Sequence, residues 1–433
     1  MPVTTPPTVA PTNARRVTLA YLCSLSLVLY LDRMCIGKAA PFIQDDLDLR
    51  DWQMGYVHAA FMIAYGLFEV VTGHWGDRFG SRRVLIRIVV WWSIFTAMTG
   101  AVTGFVAMLV VRFLFGAGEA GALPNVSRVV DRWFPPQARG RIRGYVQAPA
   151  LLGGMVAPPI TAYLIEVVGW RWVFAIFGSF GVLWAFLFSR WFRDDPATHP
   201  GVDAAERDLI GPPPESHPAG RLPILPILAS RNVWLLCGVL SAGSICVNLL
   251  FAWYPTYLER VRGVSNVSSG WWNSLIMFGG AVGCVAGGRF SDLARLRIQN
   301  PRWQYPAVGV PAFALASVAF ALAVFVESVA WKSGLLAITC FGILSHAGSW
   351  WGANSEMSGR HTAAVFGVIN SVGALVAAGA QVGFGFVPRE SWNAAFLVSA
   401  GLLMAGSACW FFVDVRKPVF PGFVCYPARE TGH

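Results

Sequence analysis

Long apolar runs follow one another along this chain, separated by short connections that carry charged or turn-forming residues. Each apolar run reaches about 20 residues, which is the length that an α-helix needs to cross the hydrocarbon core of a bilayer. Twelve such runs predict helices at 17–44, 52–76, 84–104, 106–131, 142–168, 170–191, 231–258, 268–291, 304–326, 333–355, 362–386 and 392–413. The pattern therefore predicts an all-α membrane protein with twelve transmembrane helices.

One polar connection is much longer than the others and is rich in proline and glycine. It separates the first six predicted helices from the last six. The predicted domains are an N-terminal tail at 1–16, a six-helix bundle at 17–191, a linker at 192–230, a second six-helix bundle at 231–413 and a C-terminal tail at 414–433.

Short segments of the first half recur in the second. The segment GHWGDRFG (73–80) ends the second apolar run, and GGRFSDLA (287–294) ends the eighth. GYVQ (144–147) and GVIN (367–370) each place an amide three residues after a glycine, at Gln147 and Asn370. Two related bundles of this kind are typical of transporters that rock about a central binding site.

Composition and charge support a membrane protein. Charged residues make up only 13% of the chain, against about 25% in soluble domains. The net charge is +10, but the Arg residues lie mostly in short connections, which is the pattern that sets membrane orientation rather than the pattern of a nucleic-acid surface. Their distribution predicts that both termini and the linker lie in the cytoplasm. We expect a protein of the cell (inner) membrane.

The segment GHWGDRFGSRRVLIR (73–87) resembles the major facilitator superfamily, whose loop between spans 2 and 3 carries G-x-x-x-D-R-x-G-R-R, although Ser81 here precedes the two arginines. YLDR (30–33), RFLFGAGEAGALPN (112–125), GWRWVF (169–174) and WYPTYL (253–258) resemble its anion:cation symporter branch, which includes sialin-like, hexuronate, galactonate and glucarate carriers. The resemblance implies two six-helix bundles and proton-coupled import of a small organic anion such as a sugar acid. We expect a monomer with the anion and the lipid bilayer as partners, no nucleic acid, and no cofactor besides the coupling proton.

Charged side chains inside the predicted spans are the main candidates for function, because each costs about 2.5–3.5 kcal/mol at the middle of a membrane. Asp32 and Arg33 are adjacent in the first span, whereas Arg112 and Glu119 are seven residues apart in the fourth and so share a helix face. An arginine can bind a carboxylate with two parallel hydrogen bonds. Burial in a dry site favours the protonated form of a carboxyl group. We therefore expect these residues to face a water-filled cavity.

The family resemblance implies individual roles for these residues. Asp32 and Glu119 match proton-carrying sites, and Arg33 and Tyr30 match substrate contacts. Arg112 is expected to pair with Asp32 when no proton is bound and to release it on protonation, which frees the arginine to bind the substrate anion. A purely structural charge network that holds the helices together is the alternative for all four charged residues.

Further candidates are weaker. Tyr65 is placed at the cavity by the resemblance. Gln147 and Asn370 are expected to face one another across it, where they either bind substrate hydroxyl groups or only support helix packing. Glu69 is either a hydrogen-bonded structural residue or a third proton-linked site. Lys38 either extends to the outer interface or binds a second anionic group. Four residues are expected to act in gating or structure, and two more could line the cavity: Gly73, Asp77, Arg78 and Asp292, and Trp351 and Asn354.

Other classes of protein fit the sequence less well. The seven His are scattered without H-x-x-x-H spacing, and the eight Cys show no metal-binding pattern, so we expect neither an enzyme nor a metal site. An organic-anion exchanger or exporter on the same fold is the main alternative to a symporter. A non-transporting nutrient sensor also stays open.

Overall fold

The computed structural model describes residues 12–135, 138–211, 224–388 and 391–420, without the side chains of residues 70, 71, 73, 74, 76–78, 360 and 363. These residues form helices and connections, with no strand among them. The α-helices are α1 (Ala14–Leu47), α2 (Asp51–Phe79), α3 (Ser81–Thr99), α4 (Phe105–Glu119), α5 (Ala122–Trp133), α6 (Arg139–Val168), α7 (Trp170–Trp191), α8 (Ala204–Ile210), α9 (Ile224–Ala229), α10 (Arg231–Asn248), α11 (Tyr254–Arg260), α12 (Asn266–Arg297), α13 (Pro301–Gln304), α14 (Pro306–Val324), α15 (Val329–Ser345), α16 (Ala347–Ser358), α17 (Thr362–Gly385) and α18 (Trp392–Phe412).

Each of the twelve predicted spans corresponds to one helix or to consecutive helices of this series. The fourth span is α4 with α5, the seventh is α10 with α11, the ninth is α13 with α14, and the tenth is α15 with α16. Within the described residues, ten helical segments are long and apolar enough to cross a membrane. The other two predicted spans are α2 and α3, with 29 and 19 residues. The expectation of an all-helical membrane protein is confirmed.

Helix packing repeats between the halves of the chain. In the first half α1 packs along α6, α2 along α4, and α3 along α7. In the second half the matching pairs are α10 with α17, α12 with α15, and α14 with α18. Bundle 1 (α1–α7) and bundle 2 (α10–α18) are therefore built on one plan, as the recurring sequence segments predict. The exact domain limits and the orientation in the membrane stay predictions.

Glycine and proline interrupt two of the spans. Gly121 separates α4 from α5 with φ +85°, a left-handed conformation that favours glycine. A π-helix over Leu249–Trp253 separates α10 from α11, directly before Pro255. Proline cannot donate a backbone hydrogen bond to the residue four positions earlier, so the regular α-helical ladder cannot continue through this point.

The irregular segment also brings the bundles together. A Cβ atom at Gly37 of α1 would lie 2.7 Å from the Phe251 carbonyl oxygen, so only glycine allows α1 to approach the π-helix this closely. Arg260 of α11 donates a hydrogen bond of 2.9 Å to the Pro41 carbonyl oxygen and pairs with Asp45. These contacts join the bundles at the ends of the helices that are predicted to be extracellular.

The linker is attached to bundle 1. Glu206 of α8 is fully buried and accepts hydrogen bonds from the backbone N–H groups of Ala14 (3.2 Å) and Arg15 (3.0 Å) at the start of α1. Asp194 accepts a hydrogen bond of 2.8 Å from the backbone N–H of Arg82 at the start of α3. Linker carboxylates thus stabilise two helix N-termini, where a negative charge is favourable.

Candidate functional site

Arg33 and Glu119 form the ion pair at the centre of bundle 1. Arg33 Nε donates a hydrogen bond of 2.9 Å to Glu119 Oε1, and Arg33 Nη2 contacts the same oxygen. The Glu119 side chain is 1% exposed, whereas that of Arg33 is 19% exposed. The guanidinium is therefore the accessible partner of a buried carboxylate.

Aromatic rings surround the Arg33 guanidinium. Its central carbon lies 5.7 Å from the ring centre of Tyr30, 5.2 Å from that of Phe61 and 4.9 Å from that of Tyr65. Rings at these distances attract a cation through their negative faces. The predicted residues Tyr30, Arg33, Tyr65 and Glu119 are thus brought together, and Phe61 joins them.

Asp32 and Arg112 do not form the expected ion pair in this structure. Both carboxyl oxygens of Asp32 are buried without a hydrogen-bond partner among the described residues, as is Nε of Arg112. The Arg112 guanidinium instead lies against two rings, 5.4 Å from the centre of Phe61 and 4.3 Å from that of Phe115. The ion pair in this structure is therefore Arg33–Glu119 and not Arg112–Asp32.

Glu69 connects the two bundles beside this cluster. It accepts a hydrogen bond of 3.4 Å from the Tyr65 hydroxyl of α2 and another from the Asn370 amide of α17. Asn370 is therefore bonded to Glu69 and not to Gln147, the residue it was expected to face. The Glu69–Asn370 bond is therefore a direct polar link between α2 and α17.

Gln147 lies on an accessible face of α6. It is exposed, and it precedes Gly154 by about two helical turns, so both share one face of the helix. A Cβ at Gly154 would lie 3.7 Å from both Tyr30 Cδ1 and Met277 Sδ. Gln147 is thus on the side of α6 that is turned towards α1 and α12.

Lys38 is neither free nor extended towards solvent. Its side chain is 0% exposed and forms an ion pair with Glu259 of α11, which also accepts a hydrogen bond of 2.5 Å from Ser269 of α12. In this structure Lys38 is therefore part of the contact between the bundles, and its charge is already neutralised.

The second-half candidates fall into two groups. Trp351 is half-exposed and stacks on Phe366 of α17 at 4.4 Å, one helical turn before Asn370. Asn354 is fully buried and bonds locally, to the Thr362 carbonyl oxygen at 3.4 Å and to Ser358 at 3.3 Å. Asn354 therefore has a local packing role and does not lie at the charged cluster.

The expected gate residues are distant from the cluster or outside the described side chains. Asp292 is exposed near the end of α12. The backbone at Gly73, Asp77 and Arg78 belongs to α2, but their side-chain surroundings lie outside the described residues. Elsewhere, an apolar recess of about 620 Å³ between α6 and α12 contains none of the predicted site residues.

Sequence reasoning missed Phe61 and Glu259. A signal for Phe61 was present, because Phe61, Tyr65 and Glu69 recur at four-residue spacing and so share one face of α2. Glu259 lies near the end of a span, where an acidic residue is ordinary, and its partner is 221 positions away. Within the described residues, no three His, Cys, Asp or Glu side chains are arranged to hold a metal ion.

Comparison with known proteins gives consistent relatives. The family model described as Major Facilitator Superfamily matches residues 22–381. The chain is 28% identical over 405 residues to a probable sulfoacetate transporter of Cupriavidus necator, covering 93% of this chain and 94% of that protein. It is 26% identical over 400 residues to a hexuronate transporter of Bacillus subtilis, covering 90% and 92%. A solved bacterial homologue of the human lysosomal transporter Spinster, in an inward-facing and occupied conformation, has a TM-score of 0.73 at 19% identity, covering 93% and 97%; it supports the fold.

Proposed function

The chain belongs to the Major Facilitator Superfamily, and on that premise we propose that it is a proton-coupled symporter that imports a small organic anion by alternating access. The proposal includes a monomer in the cell (inner) membrane with both termini in the cytoplasm. It names sugar acids as the substrate class, because a hexuronate transporter is among the relatives. The relative named as a probable sulfoacetate transporter adds small sulfonates to the anions to be tested.

The observation that carries the proposal is the pairing of a partly accessible arginine with a buried glutamate. Glu119 Oε1 accepts both Arg33 contacts, while Oε2 is buried without a partner within the described part of the chain. Oε2 is therefore the atom at which a proton would be held. A protonated Glu119 no longer neutralises Arg33, so the guanidinium is free to bind the carboxylate of an incoming anion. Proton and anion thereby favour each other's binding.

The surroundings suit a hydroxylated anion. Tyr30 and Tyr65 place phenol rings beside Arg33, and Gln147 is exposed on α6. Phenol and amide groups both donate and accept hydrogen bonds, as sugar hydroxyl groups require. Asp32, buried and unpartnered, is the second proton site of the proposal.

The test is uptake of labelled D-glucuronate, D-galactonate, D-glucarate and sulfoacetate into proteoliposomes, with and without an imposed pH gradient, together with exchange at equal pH. Glu119→Gln resembles the protonated glutamate in shape and charge. We expect it to bind substrate and to support exchange, but to lose accumulation driven by an inward proton gradient. Glu327→Gln is the matched control, because the Glu327 side chain is 86% exposed in a connection.

Two results would contradict the proposal. Accumulation by Glu119→Gln equal to that of the parent would remove the proton role of Glu119. Exchange by the parent that does not respond to a pH gradient would identify an organic-anion exchanger instead of a symporter.

A further inference from the structure

One phenylalanine ring contacts both arginines of the charged cluster. Phe61 of α2 is 4% exposed, and its ring centre lies 5.2 Å from the central guanidinium carbon of Arg33 and 5.4 Å from that of Arg112. The two arginines come from different helices, α1 and α4. Cation–π attraction is strongest where water is excluded, as it is here.

The backbones of α2 and α4 are in close contact beside this ring. A Cβ at Gly116 of α4 would lie 2.5 Å from the Phe61 carbonyl oxygen and 3.1 Å from Cδ2 of the ring. The ring therefore packs against the α4 backbone as well as against the two arginines. The ring also packs at 5.5 Å from Phe115, the second aromatic contact of Arg112.

The arginines differ in their charge partners. Arg33 is bonded to Glu119, whereas Arg112 Nε has no hydrogen-bond partner within the described ranges. Asp32 is the other buried carboxyl group of the cluster, and it too is unpartnered. Opposite charges in a dry interior attract strongly. Another contact must therefore stabilise the Arg112 guanidinium in a position where it does not pair with Asp32. The aromatic faces of Phe61 and Phe115 lie against its guanidinium.

We propose that Phe61 is a positioning residue of the anion site: its ring holds Arg33 and Arg112 and keeps Arg112 from closing an ion pair with Asp32. The inference rests on the proposed function, in which an arginine that is not paired with a carboxylate binds the incoming anion. When the ring is removed, Arg112 pairs with Asp32, and the anion must then break that pair to bind.

The experiment varies the ring's electrons at nearly constant shape in one set of variants, and replaces the side chain in a second set. Phe61 is replaced by 4-fluoro-, 3,5-difluoro- and 3,4,5-trifluorophenylalanine, and also by Leu and Trp. Apparent affinities for D-glucuronate, D-galactonate, D-glucarate and sulfoacetate are measured from ligand-induced thermal shifts. We expect affinity to fall step by step with fluorination, to be about tenfold weaker in Phe61→Leu, and to be recovered in Phe61→Trp.

Phe177 of α7 provides the matched control. It is 1% exposed and, among the described residues, has no cation over its ring. The same fluorinated residues at Phe177 should leave affinity unchanged. Parent-like affinity in Phe61→Leu, or equal losses at the two positions, would overturn the positioning role, because either result shows that only packing matters.

A second measurement separates this inference from the proposed function. If none of the four anions binds the parent, the substrate class is wrong, and the structure of Phe61→Leu then decides on Phe61. An Arg112–Asp32 ion pair in that structure supports the positioning role, whereas an Arg112 guanidinium still lying on Phe115 contradicts it.

Discussion

The interiors of the two bundles share a packing plan but differ in chemistry. In bundle 1, α1 and α4 bring together an Arg33–Glu119 ion pair, an arginine held by aromatic rings and an unpartnered aspartate. In bundle 2, the end of α10, the π-helix that follows it and α17 form a neutral hydrogen-bond chain. Trp253 donates to Gln381 Oε1 at 2.5 Å, and Gln381 donates to Asn248 Oδ1 at 3.1 Å.

Under the proposed function, the two repeated units have separate tasks. Amides and an indole change neither charge nor partner when the pH changes, so the chain in bundle 2 can fix the shape of the irregular α10–α11 segment but cannot carry a proton. The carboxyl groups of bundle 1 can carry one, and their arginines can exchange a protein partner for an anion. We therefore expect substitutions in bundle 1 to change coupling and affinity together.

Arg33→Lys should have the largest effect. Lysine keeps the positive charge but cannot make the two contacts that Arg33 Nε and Nη2 make with one carboxylate oxygen. Hydrogen bonds to charged groups contribute about 1.5–3 kcal/mol each. We expect affinity for D-galactonate and D-glucarate to fall about 100-fold, measured by equilibrium binding to the purified protein. Equal affinity in Arg33→Lys and the parent would show that Arg33 does not bind the anion. The proposed division of tasks between the bundles would then fail.

The sequence predicts the features of this site that depend on a single helix better than the contacts that depend on several helices. The all-helical membrane fold and the grouping of Asp32, Arg33, Arg112 and Glu119 follow from apolar runs, residue spacing and the family resemblance, whereas the exact helix ends and the breaks within four spans do not. The pairing within the cluster does not, because it depends on how α1, α2 and α4 are rotated against one another. The four-residue spacing of Phe61, Tyr65 and Glu69 gives the face of α2 on which Phe61 lies. It does not give the contact of Phe61 with arginines of α1 and α4, because that contact depends on three helices.

Lys38 and Glu259 offer a second test, because they join the bundles. Removing one partner of a buried ion pair leaves an uncompensated charge and costs about 3–5 kcal/mol. We expect Lys38→Ala and Glu259→Ala each to lower uptake of D-galactonate about tenfold or more by destabilising this closed contact. The exchanged pair, Lys38→Glu with Glu259→Lys, should restore uptake to within about threefold, since it reverses the charges and keeps the attraction.

The same variants separate a contact between the bundles from a contact with substrate. If Lys38 binds a second anionic group instead, the exchanged pair would transport the monoanion D-galactonate but not the dianion D-glucarate. Loss of glucarate uptake alone would therefore restore the substrate role that the sequence suggested for Lys38.

Replacing Glu206 should have the smallest effect, and it should change the stability of the protein but not its coupling to the proton gradient. The buried Glu206 carboxylate accepts hydrogen bonds from the first N–H groups of α1, the first helix of bundle 1. In bundle 2 the start of α10 is held by neutral bonds instead. Asn232 donates to the Asp414 and Lys417 carbonyl oxygens at 2.8 and 3.1 Å. A negative charge at a helix N-terminus contributes about 0.3–1 kcal/mol, and up to about 2 kcal/mol when partly buried. We therefore expect Glu206→Gln to lower the melting temperature by about 2–4 °C with gradient-driven uptake unchanged, and Asn232→Ala to do the same through neutral bonds. If Glu206→Gln lost uptake while its melting temperature stayed at the parent value, the linker would act in the transport cycle, and the charged chemistry of bundle 1 would extend beyond its membrane-embedded cluster.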